Sequence, residues 1–291
     1  MKQILVISGK GGTGKTTISG ALADLLARDY KLVLADADVD AANLELVLSP
    51  EKGSVFPFEA GNVANIDQDI CIQCGRCFEV CRFDAVKMAE GTYRIVEEYC
   101  EGCKSCFYQC PVDAIQVFSH QSGEWYQSET RFGQLFHAFL YPGEENSGKL
   151  VTQIKSDAVS HAEKTGADYL LIDGPPGIGC PVTAAIQGVD IAIIVSEPTV
   201  SGIHDLQRVQ QVAQHFHIPT SLVINKFDLN LDMDRTLVQL ALDQGIPLLG
   251  KIPYDERIIS AQVHGKPVTE TLNGSIRVSM QNILENLFSC L

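Results

Sequence analysis

The sequence predicts an α/β protein with a doubly wound, mainly parallel sheet, interrupted by a small inserted α+β domain. Short Ile, Val and Leu runs alternate with segments of helical apolar spacing on both sides of the middle of the 291-residue chain. Such alternation is typical of a parallel sheet covered by helices on both faces. The middle differs in composition, because eight of the ten cysteines lie between Cys71 and Cys110. We therefore expect residues 1–61 and 121–291 to form one domain and residues 62–120 to form the insert.

The predicted elements follow from runs of apolar residues. Short Ile-, Val- and Leu-rich runs predict strands at 3–8, 31–35, 169–172, 191–195, 221–224 and 247–249. Apolar residues three or four positions apart, as at Ile18, Leu22 and Leu25, predict helices. These helices are expected at 16–29, 41–48, 201–216, 234–244, 255–264 and 275–288. Residues 50–61 are expected to form a linker, and residues 131–151 a polar surface loop.

Composition and charge argue against some classes of partner. The formal net charge is −14 and the pI is about 4.8, so nucleic acid and anionic membranes would repel the surface. No run reaches the roughly 18–20 apolar residues of a membrane span. The apolar run after Met1 lacks the basic start and the cleavage site of a secretory signal. We therefore expect a cytoplasmic protein, in which clustered cysteines indicate metal ligation rather than disulfides.

A glycine-rich segment lies between the first predicted strand and the first predicted helix. Residues 9–16 read GKGGTGKT and match the phosphate-loop pattern GxxxxGK[ST]. Such a loop turns backbone N–H groups toward phosphate oxygens, and the helix N-terminus adds partial positive charge. Lys15 is expected to contact the β- and γ-phosphates, and Thr16 to bind Mg²⁺. The predicted nucleotide-binding positions are Gly11, Gly12, Thr13, Gly14, Lys15, Thr16 and Thr17; a glycine turn without a ligand is the alternative.

Lys10 makes this loop more specific. The run KGGTGKTT, which starts at Lys10, resembles the deviant Walker A motif of the MinD/Mrp/ParA and nitrogenase iron-protein group of P-loop ATPases. In that group the first lysine reaches the nucleotide bound by the partner subunit of a dimer. The resemblance implies that Lys10 stabilises the developing phosphoryl charge in trans. A solvated loop lysine is the alternative.

Acidic residues follow two of the predicted strands. Asp36 and Asp38 lie in a stretch that resembles switch I of the MinD group, which implies that Asp38 orients the attacking water and that Asp36 lies near Mg²⁺. Asp40 belongs to the same site or caps the short helix that follows. Asp173 ends an apolar strand in the Walker B pattern and is the expected acid beside Mg²⁺. The loop that follows resembles switch II, in which Gly177 would donate its N–H to the γ-phosphate.

The base-binding residues are expected after another strand. Asn225 and Lys226 begin the sequence NKFD, which taken alone is typical of guanine recognition through Asp228. MinD-type proteins place an asparagine here for adenine and add a later proline loop, which the segment around Pro253 resembles. We therefore favour ATP over GTP, with Asn225, Lys226 and Pro253 near the base.

Eight cysteines form two copies of one pattern. The spacing Cys-x₂-Cys-x₂-Cys-x₃-Cys occurs twice with an offset of 29 residues, which implies two copies of one small unit. It resembles a bacterial two-cluster ferredoxin, in which three close cysteines bind one [4Fe–4S] cluster and the fourth binds the other. The implied ligands are Cys71, Cys74, Cys77 and Cys110 for one cluster, and Cys100, Cys103, Cys106 and Cys81 for the second. Zinc is the competing metal, although zinc sites favour separated cysteine pairs.

Two cysteines lie outside this repeat. Cys180 falls seven residues after Asp173, where the nitrogenase iron protein has a cluster ligand. The resemblance leaves two alternatives for Cys180, a ligand shared across a dimer axis or an ordinary thiol. Cys290 lies in the amphipathic C-terminal helix and is expected to pack in the core.

The resemblance covers essentially the whole chain and is to MinD/Mrp-like ATPases with an inserted two-cluster ferredoxin domain. It implies a Mg²⁺-dependent ATPase that forms a homodimer, or a heterodimer with a similar subunit. Its ATP cycle would drive iron–sulfur cluster or metallocofactor assembly on a client apo-metalloprotein. The alternatives are ATP-gated electron transfer to a redox partner, as in the nitrogenase iron protein, and a non-catalytic, nucleotide-controlled scaffold.

Overall fold

The chain is divided into two compact units. A computed structural model describes residues 1–272 and 274–291. The first of the two units, here called the sheet unit, comprises Met1–Phe56, Trp125–Leu140 and Ser147–Leu291. The second, here called the cysteine unit, comprises Pro57–Glu124 and Tyr141–Asn146.

Strands and helices alternate along most of the chain. The strands are β1 (Lys2–Ser8), β2 (Leu32–Asp36), β3 (Glu51–Ile66), β4 (Val86–Ala89), β5 (Thr92–Ile95), β6 (Ile115–Thr130), β7 (Gly133–Leu140), β8 (Tyr169–Pro176), β9 (Ile191–Ser196), β10 (Thr220–Asn225) and β11 (Leu248–Ile252). The helices are α1 (Lys15–Leu26), α2 (Leu44–Leu48), α3 (Arg76–Val80), α4 (Ser105–Gln109), α5 (Ser147–Thr165), α6 (Cys180–Ile186), α7 (Val200–His215), α8 (Leu231–Asp243), α9 (Arg257–Val263), α10 (Val268–Thr271) and α11 (Ser275–Phe288).

The main sheet has the order β11-β10-β9-β1-β8-β2-β7-β6-β3. Every pairing from β11 through to β7 is parallel, which confirms the predicted doubly wound, mainly parallel sheet. β2 and β8 lie on one side of β1 and β9 lies on the other, so the carboxyl end of β1 is a topological switch point. Sheets of this class bind ligands at such points. Asp36 of β2 pairs in register with Asp173 of β8, which brings both acids to this edge.

The core of the sheet unit forms where helices cover the strands. Ile18 and Leu22 of α1 lie in one apolar cluster with Ile276 and Met280 of α11. α11 has the predicted bounds, and its residues Ile276, Met280, Ile283 and Leu287 are buried, so one face of this helix packs in the core. None of the helices formed by the described residues combines the length and apolarity that crossing a bilayer requires.

Two predictions about connecting segments were wrong. Residues 50–61, predicted as a linker, lie almost entirely in β3. β3 is the last strand of the sheet, and it tolerates Pro57 because one side of an edge strand needs no N–H donors. Residues 131–151, predicted as a polar loop, contain β7 and the start of α5. β7 lies between β2 and β6, which explains why Leu135 and Phe136 are buried.

The sequence repeat recurs in the backbone of the cysteine unit. α3 and α4 are separated by the same 29-residue offset as the cysteines. Each follows a residue in the left-handed conformation, Gly75 with φ 77° and Lys104 with φ 63°. Asp84 and Asp113, which are also 29 residues apart, both have φ 53°. The two halves of the unit therefore share one local backbone geometry.

The apolar core of the cysteine unit is small. Its buried members are Ala64, Ile66, Cys77, Val86 and Ile115. The partly buried groups packed against it include five further cysteines of the repeat. Cysteine side chains therefore take the place that larger apolar residues hold in an ordinary core.

Candidate nucleotide site and cysteine-lined cavities

The phosphate-loop segment joins β1 to α1 at the switch point. Gly14 has φ 91° and directly precedes α1, and a Cβ atom there would lie 2.3 Å from Asn225 Nδ2. Glycine alone fits such a position. The Asn225 amide donates to the Thr13 carbonyl oxygen at 2.8 Å. Asn225, predicted near the base, is therefore also the residue through which β10 holds the phosphate loop.

Asp173 organises the start of α1. Its carboxylate accepts hydrogen bonds from the hydroxyls of Thr16, at 2.7 Å, and Ser19, at 2.9 Å. Burial raises the pKa of Asp173, while these hydroxyls and Lys15 oppose the rise. A loop hydroxyl beside a strand-end acid is the pair with which P-loop proteins hold Mg²⁺. The sequence pattern does not single out Ser19, because it resembles any small residue in a helix.

The side chain of Asp36 is hydrogen-bonded to the protein backbone. Its fully buried carboxylate accepts hydrogen bonds from the N–H groups of Asp38, Asn43 and Leu44, at 3.1, 3.2 and 3.0 Å. Burial and the neighbouring Asp173 raise the pKa of Asp36 well above its usual range. Asp36 therefore fixes the loop that carries Asp38 and caps the first turn of α2.

The alternative role for Asp40 as the cap of that helix was wrong. α2 begins at Leu44 rather than at residue 41, and Asp40 is exposed. A turn in which the Ala41 N–H donates to the Asp38 carbonyl oxygen, at 3.0 Å, separates the acidic run from the helix. Asp40 instead lines the cavity described below.

Lys15 and Asp38 face each other. Lys15 Nζ lies 3.9 Å from Asp38 Oδ2, and the lysine side chain is only 5% exposed. Burial raises the pKa of Asp38 to about 6, with Lys15 opposing the rise and Asp173 adding to it. At neutral pH Asp38 is therefore ionised and can accept a hydrogen bond from a water molecule.

Lys15, Thr16 and Asp38 line one large cavity in the sheet unit, whereas Asp36 and Asp173 do not. It includes about 1990 Å³ of space, counting the part that is open to solvent. Predicted residues among its lining are Gly11, Gly12, Gly14, Lys15, Thr16, Thr17, Asp38, Asn225 and Lys226. Pro253 lies next to the lining residue Tyr254, and Gly177 lies next to the lining residue Pro176. The structure thus gathers most of the predicted nucleotide residues around one cavity.

The predicted switch II residue is engaged with the central strand. The Gly177 N–H donates to the Ser8 carbonyl oxygen at 2.8 Å. A contact between this N–H and a γ-phosphate requires that bond to break. The role of Gly177 in binding phosphate therefore stays a prediction.

The NKFD segment is tied to the loop that contains Pro253. Asp228 Oδ1 accepts a hydrogen bond from the Tyr254 N–H at 2.7 Å. This bond uses one of the roughly four acceptor sites of the carboxylate. The adjacent Lys226 has φ 55° and donates to the Gly12 carbonyl oxygen at 3.4 Å, so this segment also contacts the phosphate loop.

Lys10 of the phosphate loop and Lys226 share one carboxylate. Lys10 Nζ lies 3.5 Å from Glu197 Oε2, and Lys226 Nζ lies 2.5 Å from Glu197 Oε1. Lys10 Nζ also donates to Ser201 Oγ at 3.3 Å. Sequence reasoning missed Glu197, although its place directly after β9, the neighbour of β1, was a usable signal.

Two cavities of the cysteine unit are each lined by four cysteines. One includes about 400 Å³ of space and the other about 320 Å³, both partly open to solvent. Cys81, Cys100, Cys103 and Cys106 line the first, and Cys71, Cys74, Cys77 and Cys110 line the second. Each set combines three closely spaced cysteines with the last cysteine of the other repeat. All eight are free thiols.

The thiols in these cavities have different environments. Burial raises the pKa of Cys106 to about 11 and also raises that of Cys77. A hydrogen bond with Ser105 lowers the pKa of Cys103. Buried thiols need a nearby cation to ionise, which a bound metal supplies. Across the described part of the chain, no three His, Cys, Asp or Glu side chains form a group suited to one metal ion.

The two remaining cysteines differ in burial. Cys180 is exposed and is the first residue of α6. Cys290 packs partly buried against the core of the sheet unit, as predicted. Whether Cys180 is a ligand stays a prediction.

The fold and the site together define a P-loop nucleotide-binding protein. The chain belongs to the CbiA family, because residues 4–268 match its CobQ/CobB/MinD/ParA nucleotide binding domain. Members of the MinD/ParA group are P-loop ATPases. The match covers nearly the whole chain and so includes both units.

Individual proteins resemble this chain over most of its length. An uncharacterized protein of Methanocaldococcus jannaschii is 39% identical over 78% of this chain and 79% of its own length. The septum site-determining protein MinD of Bacillus subtilis is 27% identical over 98% of this chain and 88% of its own. Among solved structures, the Mg-ADP complex of Pyrococcus horikoshii MinD has a TM-score of 0.60 at 19% identity, covering 98% of this chain and 95% of its own.

Proposed function

We propose that this protein is a cytoplasmic, Mg²⁺-dependent ATPase that works as a dimeric switch and carries two [4Fe–4S] clusters. ATP hydrolysis would drive the assembly or delivery of iron–sulfur clusters, or of a related metallocofactor, to a client apo-protein. The observation that carries the ATPase and the clusters is the pair of four-cysteine cavities in a chain that also has the P-loop cavity. The choice of assembly over electron transfer rests on the resemblance to MinD/Mrp-like ATPases.

The nucleotide part of the proposal rests on the charges around the cavity. Lys15 and the backbone N–H groups of the loop would bind the β- and γ-phosphates, and Thr16 with Asp173 would hold Mg²⁺, which neutralises phosphate charge. Asp38, fixed through Asp36, would orient the attacking water. Lys10 would act on the nucleotide of the partner subunit, which makes hydrolysis depend on a homodimer or on a heterodimer with a similar ATPase.

Adenine is the preferred base. Asn225 and Lys226 line the cavity, and Pro253 lies beside it. One oxygen of the Asp228 carboxylate, which guanine would require, accepts the Tyr254 N–H, and the Asn225 amide is itself bonded to the Thr13 carbonyl oxygen. The preference for ATP over GTP therefore rests on the resemblance of these segments to MinD-type proteins.

The cysteine cavities fit the proposed clusters. In a cubane cluster each thiolate binds a different iron atom, so four sulfurs need to surround a space rather than converge on a point. Each cavity provides a complete set of four cysteines around such a space. The bound clusters would supply one-electron redox chemistry, and the chain would supply the thiolates and their partial shielding from water.

ATP-gated electron transfer to a redox partner is the second candidate. A complete set of four protein ligands in each cavity is typical of clusters that stay in place. Cluster delivery instead requires at least one cluster to be labile. The two functions therefore differ in a property that can be measured on the same preparation.

The test is an anaerobic redox titration of the reconstituted protein followed by EPR, with and without Mg·ATP. Two reducible [4Fe–4S] signals are expected. Unchanged midpoint potentials, together with ATP-dependent transfer of iron to an apo-ferredoxin acceptor, are the result expected for cluster delivery. A midpoint potential that falls when Mg·ATP is added would favour electron transfer. Protein that binds no iron after reconstitution would contradict both.

The rate of ATP hydrolysis is expected to fall in acid, because Asp38 becomes protonated. Because burial raises the pKa of Asp38 to about 6, the carboxylate is ionised above that pH and neutral below it. We expect kcat/KM to be constant near pH 8 and to fall about tenfold by pH 5, one pH unit below the pKa. The measurement is kcat/KM between pH 5 and 8, because this ratio reports the pKa of the free enzyme.

The control for this pH profile is Asp38→Asn. Its residual rate is expected to lack the acid limb, because the amide does not titrate in this range. A wild-type profile that stays flat down to pH 5 would contradict the proposed role of Asp38.

A further inference from the structure

Glu197 connects Lys10 of the phosphate loop with Lys226. Its side chain is 13% exposed, compared with 37% for Lys10 and 31% for Lys226. The contact to Lys226 is the shorter one, at 2.5 Å against 3.5 Å for Lys10. Lys226 also contacts the Gly12 carbonyl oxygen. Glu197 therefore makes a short contact with Lys226, which is itself bonded to the loop, and a longer contact with Lys10.

Lys10 is engaged within its own subunit. Its ammonium group contacts Glu197 and Ser201, which both follow β9. In this arrangement the Lys10 charge is turned toward the segment after β9. If Lys10 acts on the nucleotide of a partner subunit, these contacts must break before hydrolysis.

Release of Lys10 would leave no isolated charge behind. Breaking an ion pair is most unfavourable when it leaves an uncompensated, desolvated charge. Here Lys226 stays with the Glu197 carboxylate after Lys10 departs. Ion pairs with an exposed partner are also weak. The arrangement is therefore suited to a contact that forms and breaks in each cycle.

We propose that Glu197 is a positioning residue that holds Lys10 on its own subunit until ATP-driven dimer formation transfers Lys10 to the nucleotide of the partner. The proposal rests on the proposed function, specifically on the trans role of Lys10. Removal of the Glu197 charge shifts the equilibrium toward the dimer-competent state by about two- to fivefold, the effect of an exposed ion pair.

The test follows specific ATPase activity as a function of protein concentration. Glu197→Gln is expected to lower the half-maximal protein concentration of a homodimer by about four- to 25-fold, because the two- to fivefold shift applies to each of its two protomers. Ser201→Ala removes the other Lys10 contact and leaves the Glu197–Lys226 pair, so it should lower this concentration by less. In a Lys10→Gln background, Glu197→Gln should leave ATP-dependent self-association in sedimentation velocity unchanged, because no lysine remains to be released.

The outcomes separate this proposal from the proposed function. An unchanged or raised half-maximal concentration in both single variants would overturn the role of Glu197, while ATP hydrolysis by the wild type would still stand. Glu197→Gln could also change ATP-dependent self-association equally in the wild-type and Lys10→Gln backgrounds. That result would overturn the role of Glu197, because the carboxylate would then act through Lys226. A wild-type protein that hydrolyses no ATP at any concentration would refute the proposed function itself.

Discussion

Replacement of Lys15 with alanine is expected to lower the rate of ATP hydrolysis by at least about a hundredfold, the loss observed when one fixed charge-stabilising group is removed. Lys15 is 5% exposed, lines the large cavity of the sheet unit and lies 3.9 Å from Asp38. Its ammonium group is therefore held close to where the phosphates would bind, and it need not be reorganised when charge develops. Phosphate release at saturating Mg·ATP measures the effect.

Lys164→Ala is the matched control for this experiment. Lys164 lies exposed in the last turn of α5, away from the lining of the cavity. Its loss should leave the rate within about twofold, as expected for a surface substitution. A Lys15→Ala variant with the thermal stability of the wild type and a comparable rate would show that the loop does not bind nucleotide as proposed.

Substitution of cysteines in pairs is expected to show which four ligands share a cluster. The reconstituted wild type should hold about eight iron atoms per chain, four in each cluster. Cys110→Ser combined with Cys74→Ser should retain about four, since both residues line the same cavity. Cys110→Ser combined with Cys103→Ser should retain almost none, since these residues line different cavities. Iron and acid-labile sulfide per chain are the quantities to measure.

The control for the cysteine pairs is Cys290→Ser. Cys290 packs against the core of the sheet unit and belongs to neither cavity. Its substitution should leave the iron content unchanged. The reverse pattern, with Cys110 and Cys103 behaving as one cluster, would contradict the crossed assignment. That outcome would mean that neighbours in sequence, rather than neighbours around a cavity, share a cluster.

The parallel sheet could be predicted because its signal is local. Central strands such as β1 are covered on both faces, so they read as continuous apolar runs in the sequence. β3 and β7 were missed because their place depends on strands far away in the chain. Pro57 looks like a loop residue until β3 is known to lie at an edge. β7 reads as a loop because its polar flanks hide the buried residues between them.

The site shows the same division between local and distant information. The phosphate loop and the cysteine spacing place their residues within short stretches, so a pattern identifies them. Glu197 and Ser19 act through contacts with residues far away in sequence, Lys10 and Asp173. Nothing in the residues around Ser19 marks its partner, and the one signal for Glu197 was its place directly after β9. The capping role of Asp36 was missed for a related reason, because the length of the turn before α2 decides which acid reaches the helix.

The small core of the cysteine unit gives its crossed ligand sets a second consequence. A unit of this size, with few buried apolar side chains, needs additional cross-links to be stable. Each cavity takes three cysteines from one repeat and the fourth from the other, so each bound cluster would staple the two halves together. Metal binding of this kind contributes directly to folding free energy. Under the proposed function, iron supply would therefore regulate not only the chemistry of this unit but also whether it is folded.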